Sequence, residues 1–248
     1  MLSLGARIFC LALGAAAIAW AVIWFPVFRQ SMVLEDTAGR IIRGQVYKLE
    51  TLLDLTPALD AVAEQRFCAA AGLRSAAIIR MRIAELAPEQ ANGADIDRSY
   101  ARLRVALHKS LECSPVDAFL WLGLYWLEVN SNGFQPRHLD YLRMSYRQAP
   151  SEGWIMEKRN QLAIAVYPVL PPDLAELALS EFTRLMQLEF SNSAVNVLLG
   201  PGWPIRDVLL SRIEKVPLVQ RKRFSDILKS RGVDIAIPGI ENERRPWQ

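Results

Sequence analysis

Hydrophobic positions fall along this chain in two regimes. From Ile8 to Phe28 (IFCLALGAAAIAWAVIWFPVF) 21 residues pass without a charge. Beyond Arg29 the apolar residues instead recur every three or four positions, which is the period of one helix face. Ile41, Ile42, Val46, Leu49, Leu52 and Leu53 follow that spacing, and no alternating run of strand length interrupts it. The pattern predicts an all-α chain.

At about 1.5 Å per residue the uncharged run reaches roughly 31 Å as a helix, enough for a hydrocarbon layer of about 30 Å. Trp20, Trp24 and Phe25 gather toward its C-terminal half, where ring side chains suit a lipid–water interface. Pro26 falls in its last turn. A cleavable signal peptide competes with the anchor, since Arg7 forms a short basic region and Ala19-Trp20-Ala21 resembles a small-x-small cleavage site. Cleavage there would leave Val22-Ile23-Trp24-Phe25 as an exposed apolar terminus, which favours an uncleaved single span. Arg7 precedes the span while Arg29, Arg40 and Arg43 follow it, so flanking charge selects neither orientation. The signal-like layout points to an amino terminus inside the cell and an exported remainder, placing the protein in a bacterial inner membrane with a periplasmic domain.

The expected organisation is a short tail over 1–7, the anchor over 8–28, an amphipathic stalk helix over 29–56, a helical-repeat domain over 57–231 and an irregular tail over 232–248. Thr56-Pro57 offers a cap followed by proline at a first helical position. Ala58 to Ala87 is alanine-rich, with a break expected at Gly72 and an end at Pro88. Leu86-Ala87-Pro88, Cys113-Ser114-Pro115 and Ala149-Pro150-Ser151 each close one helical run and open another, and Phe190-Ser191-Asn192 does so without proline. The clearest unit lies between Ser114 and Pro150. Ser114 is expected to cap it, Pro115 to take its first helical position and Asp117 to complete a capping pair. Its first run ends at Asn130, Ser131-Asn132-Gly133 turns the chain, and Pro136 opens a partner helix.

Within that unit Trp121-Leu122-Gly123-Leu124-Tyr125 sets Trp, Gly and Tyr in the order of a tetratricopeptide signature, although compressed, and Ala149-Pro150 is similar to its close. The unit resembles a tetratricopeptide repeat, and the resemblance implies stacked helical hairpins with a concave protein-binding face. Flanking segments over 57–113, 151–190 and 191–231 share only its length and layout.

Charge changes this picture little: 29 Lys+Arg against 26 Asp+Glu give a net +3, without the concentrated basic face of a nucleic-acid binder. Three cysteines with no C-x-x-C spacing and two histidines, His108 and His138, exclude a zinc framework. No nucleophile–base motif surrounds either histidine, and Glu176, Glu181, Asp54 and Asp60 are spaced like solvated helix faces. Gly200-Pro201-Gly202-Trp203-Pro204 lacks the Lys-Ser/Thr of a phosphate loop. These readings predict a protein that is not an enzyme and holds neither cofactor nor metal.

Arg74, Arg80, Arg82, Arg98, Arg102 and Arg104 belong to one predicted hairpin, and Arg221, Lys222, Arg223, Lys229 and Arg231 to the last helix. They form either a solvated face or a contact for an acidic protein, anionic polysaccharide or lipid headgroups. Partner-binding candidates are Trp126, Tyr141, Arg98 and Arg102. The expected function is a membrane-anchored scaffold that binds another envelope protein through a concave face, the alternative being an accessory factor in cell-surface polysaccharide assembly or export that contacts glycan through its arginines and tryptophans. Cys10 lies inside the span. Cys68 and Cys113 sit at the start and end of an antiparallel hairpin, which should bring them within the 4.4–6.8 Å of Cα separation a disulfide requires. Such a bond would favour an oxidising compartment, while two separately buried free thiols are the alternative.

Overall fold

The computed structural model describes residues 4–65, 67–90 and 92–240, and all regular structure among them is helical. Parts of the expected tails, residues 1–3 and 241–248, lie outside that description. The chain divides into two compact units, Met1–Val116 and Asp117–Gln248. The expected repeat domain over 57–231 runs across this division.

The first unit holds α1 (Leu4–Ile42), α2 (Leu49–Leu53), α3 (Thr56–Glu64), α4 (Ala70–Gln90) and α5 (Gly93–Cys113). Anchor and stalk are not two helices: α1 runs for 39 residues straight through Pro26, and helix resumes only at the short α2. Exposure divides α1 in two. Its first half leaves Leu11, Ile18, Val22 and Ile23 exposed by 57% or more, whereas Leu34 is sealed and Ser31 and Ala38 are buried at helical spacing against the rest of the unit. Among the described residues no helix is long and apolar enough to cross a membrane. Of the run Ile8–Phe28, the side chains of Trp24 and residues 26–28 lie outside the description.

Helix α4 is the centre of this unit and packs against α1, α2, α3 and α5. Its consecutive buried residues Ser75 to Met81 cover the whole helix circumference, as expected of a helix packed against four others. The expected break at Gly72 is absent. Gly72 is buried inside α4, where Ser31 of α1 packs so close that an added Cβ would lie 2.9 Å from its Oγ, and the break falls between Gln65 and Ala70. Pro88 does not end α4 either: in the last turn its missing N–H costs little, and the helix continues to Gln90. Thr56 is the first residue of α3 rather than its cap, since Leu55 occupies the cap position and no side chain bonds there. At the other end of α3, Lys109 of α5 donates to the Ala63 and Gln65 carbonyls, satisfying acceptors that helix termini leave open.

The second unit holds α6 (Ala118–Asn132), α7 (Leu139–Gln148), α8 (Gly153–Ala165), α9 (Pro172–Gln187), α10 (Ser191–Leu199), α11 (Arg206–Arg212) and α12 (Leu218–Ser230) around one apolar core. Successive helices pack as the pairs α6–α7 and α8–α9, but α10 packs on α9 and α12, so the pairing does not repeat regularly to the end. Asp117, not Ser114, caps α6. Its Oδ1 accepts from the Phe119 and Leu120 amides at 3.0 and 3.2 Å, leaving Ser114 and Pro115 in the preceding loop. A carboxylate here also meets the positive helix end. Gly133 closes α6 with φ +71°, a conformation that disfavours a Cβ. Within the irregular C-terminal segment Ile237 is buried in the core and Arg221 donates to the Pro238 carbonyl.

Candidate functional site

Helical spacing brings charged residues of the first unit to one place. Asp95, Arg98, Ser99 and Arg102 lie three or four residues apart on α5, and Arg80 and Ile83 are three apart on α4, so each set shares a face. These two faces, with Leu49, Glu50 and Leu53 of α2 and Thr56 of α3, line a cavity of about 440 Å³. Gln90 and Asn92 at the α4–α5 connection complete its rim. Asn92 is fixed there as the α5 cap, its Oδ1 accepting from the Asp95 amide at 3.1 Å.

Arg98 and Arg102, expected from sequence as partner-binding residues, both line this cavity. Their states differ. Arg98 donates to Asp95 at 2.6 Å, whereas Arg102 has no ion pair or hydrogen bond among the described residues. Arg80 is 6% exposed and bonded to Asp60 at 2.5 Å. Burial pulls its pKa down against the pull of Asp60, and the charge of Arg102 adds to the lowering. Glu50 likewise has no hydrogen-bond or ion-pair partner among the described residues. Two charges of opposite sign therefore line an open cavity with neither spent.

Of the other two expected residues, Tyr141 of α7 stacks on Trp121 of α6 with centroids 6.1 Å apart and planes at 20°. Trp126 follows Trp121 by five residues, about 140° around the same helix, so it does not share the face that meets Tyr141. Cys68 and Cys113 form a disulfide with Cα atoms 5.5 Å apart. The antiparallel α4–α5 pair returns the end of one helix to the start of the other.

The second unit hides a constellation that the sequence reading missed. Arg159 of α8 is completely buried. It donates from Nε and Nη2 to Glu181 Oε1 at 2.9 and 2.6 Å, from Nη1 to the Ser145 carbonyl at 2.8 Å, and from Nη2 to the Ala149 carbonyl at 3.0 Å. Its guanidinium also lies 4.2 Å from the Tyr146 ring centroid, and the Tyr146 hydroxyl donates to Glu181 Oε2 at 2.9 Å. One side chain thus caps the C-terminus of α7 and ties α8 to α9. Burial pushes the Glu181 carboxyl up, opposed by Arg159 and Tyr146, and burial together with Glu181 pushes the Tyr146 hydroxyl well above its ordinary value. Sealed from solvent, the group locks three helices and is unreachable by a ligand. Glu181 is therefore not on a solvated face, unlike Glu176, which makes a two-pronged surface pair with Arg212. A sequence signal existed: Arg159 sits in the apolar stripe with Met156 and Ala163, and Glu181 in that of Ala178 and Leu185.

His108 is exposed, and His138 is buried with neither ring nitrogen hydrogen-bonded. Among the described residues no group of three His, Cys, Asp or Glu side chains is placed to hold a metal. In the Gly200–Pro204 loop, Trp203 is partly exposed beneath the Arg206 guanidinium at 5.1 Å. Basic residues of the last helix are partly engaged, Arg223 with Glu189 at 3.6 Å and Arg231 with Asn196 at 2.6 Å. No family model, curated protein or solved structure matches this chain.

Proposed function

We propose that this protein is a membrane-anchored helical scaffold of the bacterial envelope that holds a partner protein outside the inner membrane. The observation that carries the reading is the division of α1 into an apolar first half whose side chains stand exposed and a second half buried in its own unit. Contiguous exposed apolar surface of this extent is unfavourable in water and requires lipid or protein cover. A helix continuous across both halves would transmit anchoring directly to the helices packed on Ser31, Leu34 and Ala38. The Cys68–Cys113 bond supports an oxidising compartment for the rest of the chain. The tetratricopeptide resemblance draws support from the α6–α7 pair. Of the arginines and tryptophans that the polysaccharide alternative invokes, Arg98 and Arg102 line the cavity, and no aromatic ring is among its described lining residues.

Two measurements test this. The full chain should float with phospholipid vesicles and resist carbonate extraction, and replacing Ile18 and Val22 with Asp should abolish both behaviours. Crosslinking in intact membranes should then capture a specific partner protein. A chain that washes off vesicles, or no partner above background, would overturn the proposal.

A further inference from the structure

The cavity of the first unit has a definite height along the anchor, and this restricts what can reach it. Gly72 of α4 lies beside Ser31 of α1. Residues 8–23 and Phe25 of α1 stand exposed while Ser31, Leu34 and Ala38 are buried, so α1 continues from that point alongside α4 in the same direction rather than back along it. Three residues separate Phe28 from Ser31, eight separate Gly72 from Arg80, and eighteen separate Gly72 from Gln90. At about 1.5 Å per residue the α4 side of the cavity spans roughly 16 to 32 Å beyond the apolar run, measured along the helices. On the anchored reading a headgroup layer only about 5–8 Å deep would leave lipid phosphates short of it.

Its walls carry three kinds of recognition. Arg102 offers an unspent two-pronged donor on α5, and Glu50 an unspent acceptor on α2. Leu53 and Ile83 add aliphatic surface to the same lining. Arg80 and Arg98 are already neutralised by Asp60 and Asp95, so they add hydrogen-bonding edges without surplus charge. A simple anion would satisfy Arg102 and be repelled by Glu50. A sugar would find no ring to stack on. Arginine forks match carboxylates, and a site of about 440 Å³ is within the range that encloses a few side chains.

We infer that this cavity binds a short peptide segment of a protein partner in which an acidic side chain pairs with Arg102, a basic one pairs with Glu50, and an aliphatic residue between them rests on Leu53 and Ile83. This rests on the partner-scaffold reading above and names the surface that would serve it.

The test uses the full chain in detergent and fluorescein-labelled, end-blocked peptides containing Glu-Leu-Lys or Lys-Leu-Glu, followed by anisotropy. One of the two should bind saturably below about 1 mM. R102A should weaken it about tenfold, the scale of one charged hydrogen bond, and E50A similarly. Replacing the peptide's Glu with Gln should reproduce the R102A loss and make that variant indifferent; replacing its Lys with Gln should do the same for E50A. Both residues are exposed, and the retained Cys68–Cys113 bond and helical circular dichroism verify folding of each variant. Inorganic phosphate and a glucuronate oligosaccharide serve as comparison ligands. Binding of either, tighter than of both peptides, would overturn the inference, as would no peptide binding at 1 mM or losses that ignore the Gln substitutions. If membranes yield a partner that R102A and E50A capture as well as the native chain, the cavity assignment fails while the scaffold reading stands. If peptides bind as expected but no partner is captured, the reverse holds.

Discussion

Replacing Arg159 with Met should destabilise the second unit by about 3–5 kcal/mol, the cost of removing one partner from a buried ion pair. The guanidinium has no exposure, so water cannot substitute for it. Its loss leaves Glu181 without its cationic partner and strips the added donors from the Ser145 and Ala149 carbonyls at the end of α7. Burial already pushes the Glu181 carboxyl upward. Without Arg159 opposing it, the folded variant should hold a proton on Glu181 that the unfolded chain has released. Between the ordinary carboxyl pKa of about 4.5 and the raised folded value, the variant's stability therefore falls as pH rises. The deficit should be smaller at pH 5 than at pH 8. Adding Glu181→Leu to Arg159→Met should recover at least about 2 kcal/mol, because a buried pair replaced by apolar side chains is far less costly than a buried pair broken. Amide exchange of α7, α8 and α9 in the full chain, read by mass spectrometry under native conditions, reports the opening energy of these helices directly. An Arg159→Met variant within 1 kcal/mol of the native chain, or a double variant less stable than the single one, would refute the reasoning.

Tyr125 is buried with its hydroxyl unpaired, and burial raises its pKa from 10.0 to about 12. The unfolded chain ionises first, so stability present below pH 10 should be lost between pH 10 and 12, by at most about 2.7 kcal/mol from this residue; in alkaline denaturation Tyr125→Phe should flatten that loss without destabilising at pH 7. Reducing the Cys68–Cys113 bond, or replacing both cysteines with Ser, should lower the stability of the first unit by about 4 kcal/mol for its 45-residue separation, seen as a reductant-dependent urea midpoint; equal midpoints would dismiss the bond. Gly202→Ala should cost about 1–3 kcal/mol, because a Cβ there would stand 2.7 Å from the Val197 carbonyl and 2.6 Å from Leu209 Cδ1, whereas Gly93→Ala, with open space around it, should leave the thermal midpoint near the native value.

Several features follow from sequence because they depend on one helix or one connection. Helical periodicity set the all-α class, and the length of two runs joined by a short turn placed Cys68 opposite Cys113. The same spacing rule put Arg98 and Arg102 on one face of α5, though not what that face would meet. Local competition was harder to read: Ser114 and Asp117 are both good caps, and α6 begins where the carboxylate reaches two amides. Tertiary structure alone decided the rest. Gly72 reads as a helix breaker until Ser31 of another helix needs the space of its missing side chain. Arg159 lies in the apolar stripe of Met156 and Ala163, but what its charge meets there is decided by Glu181, Tyr146 and the end of α7, which converge on it from elsewhere in the chain. Periodicity tells which side of a helix is apolar, but the state of a charge set in that side depends on what the facing helices supply. That partner is fixed by packing across tens of residues, a distance over which local spacing carries no information.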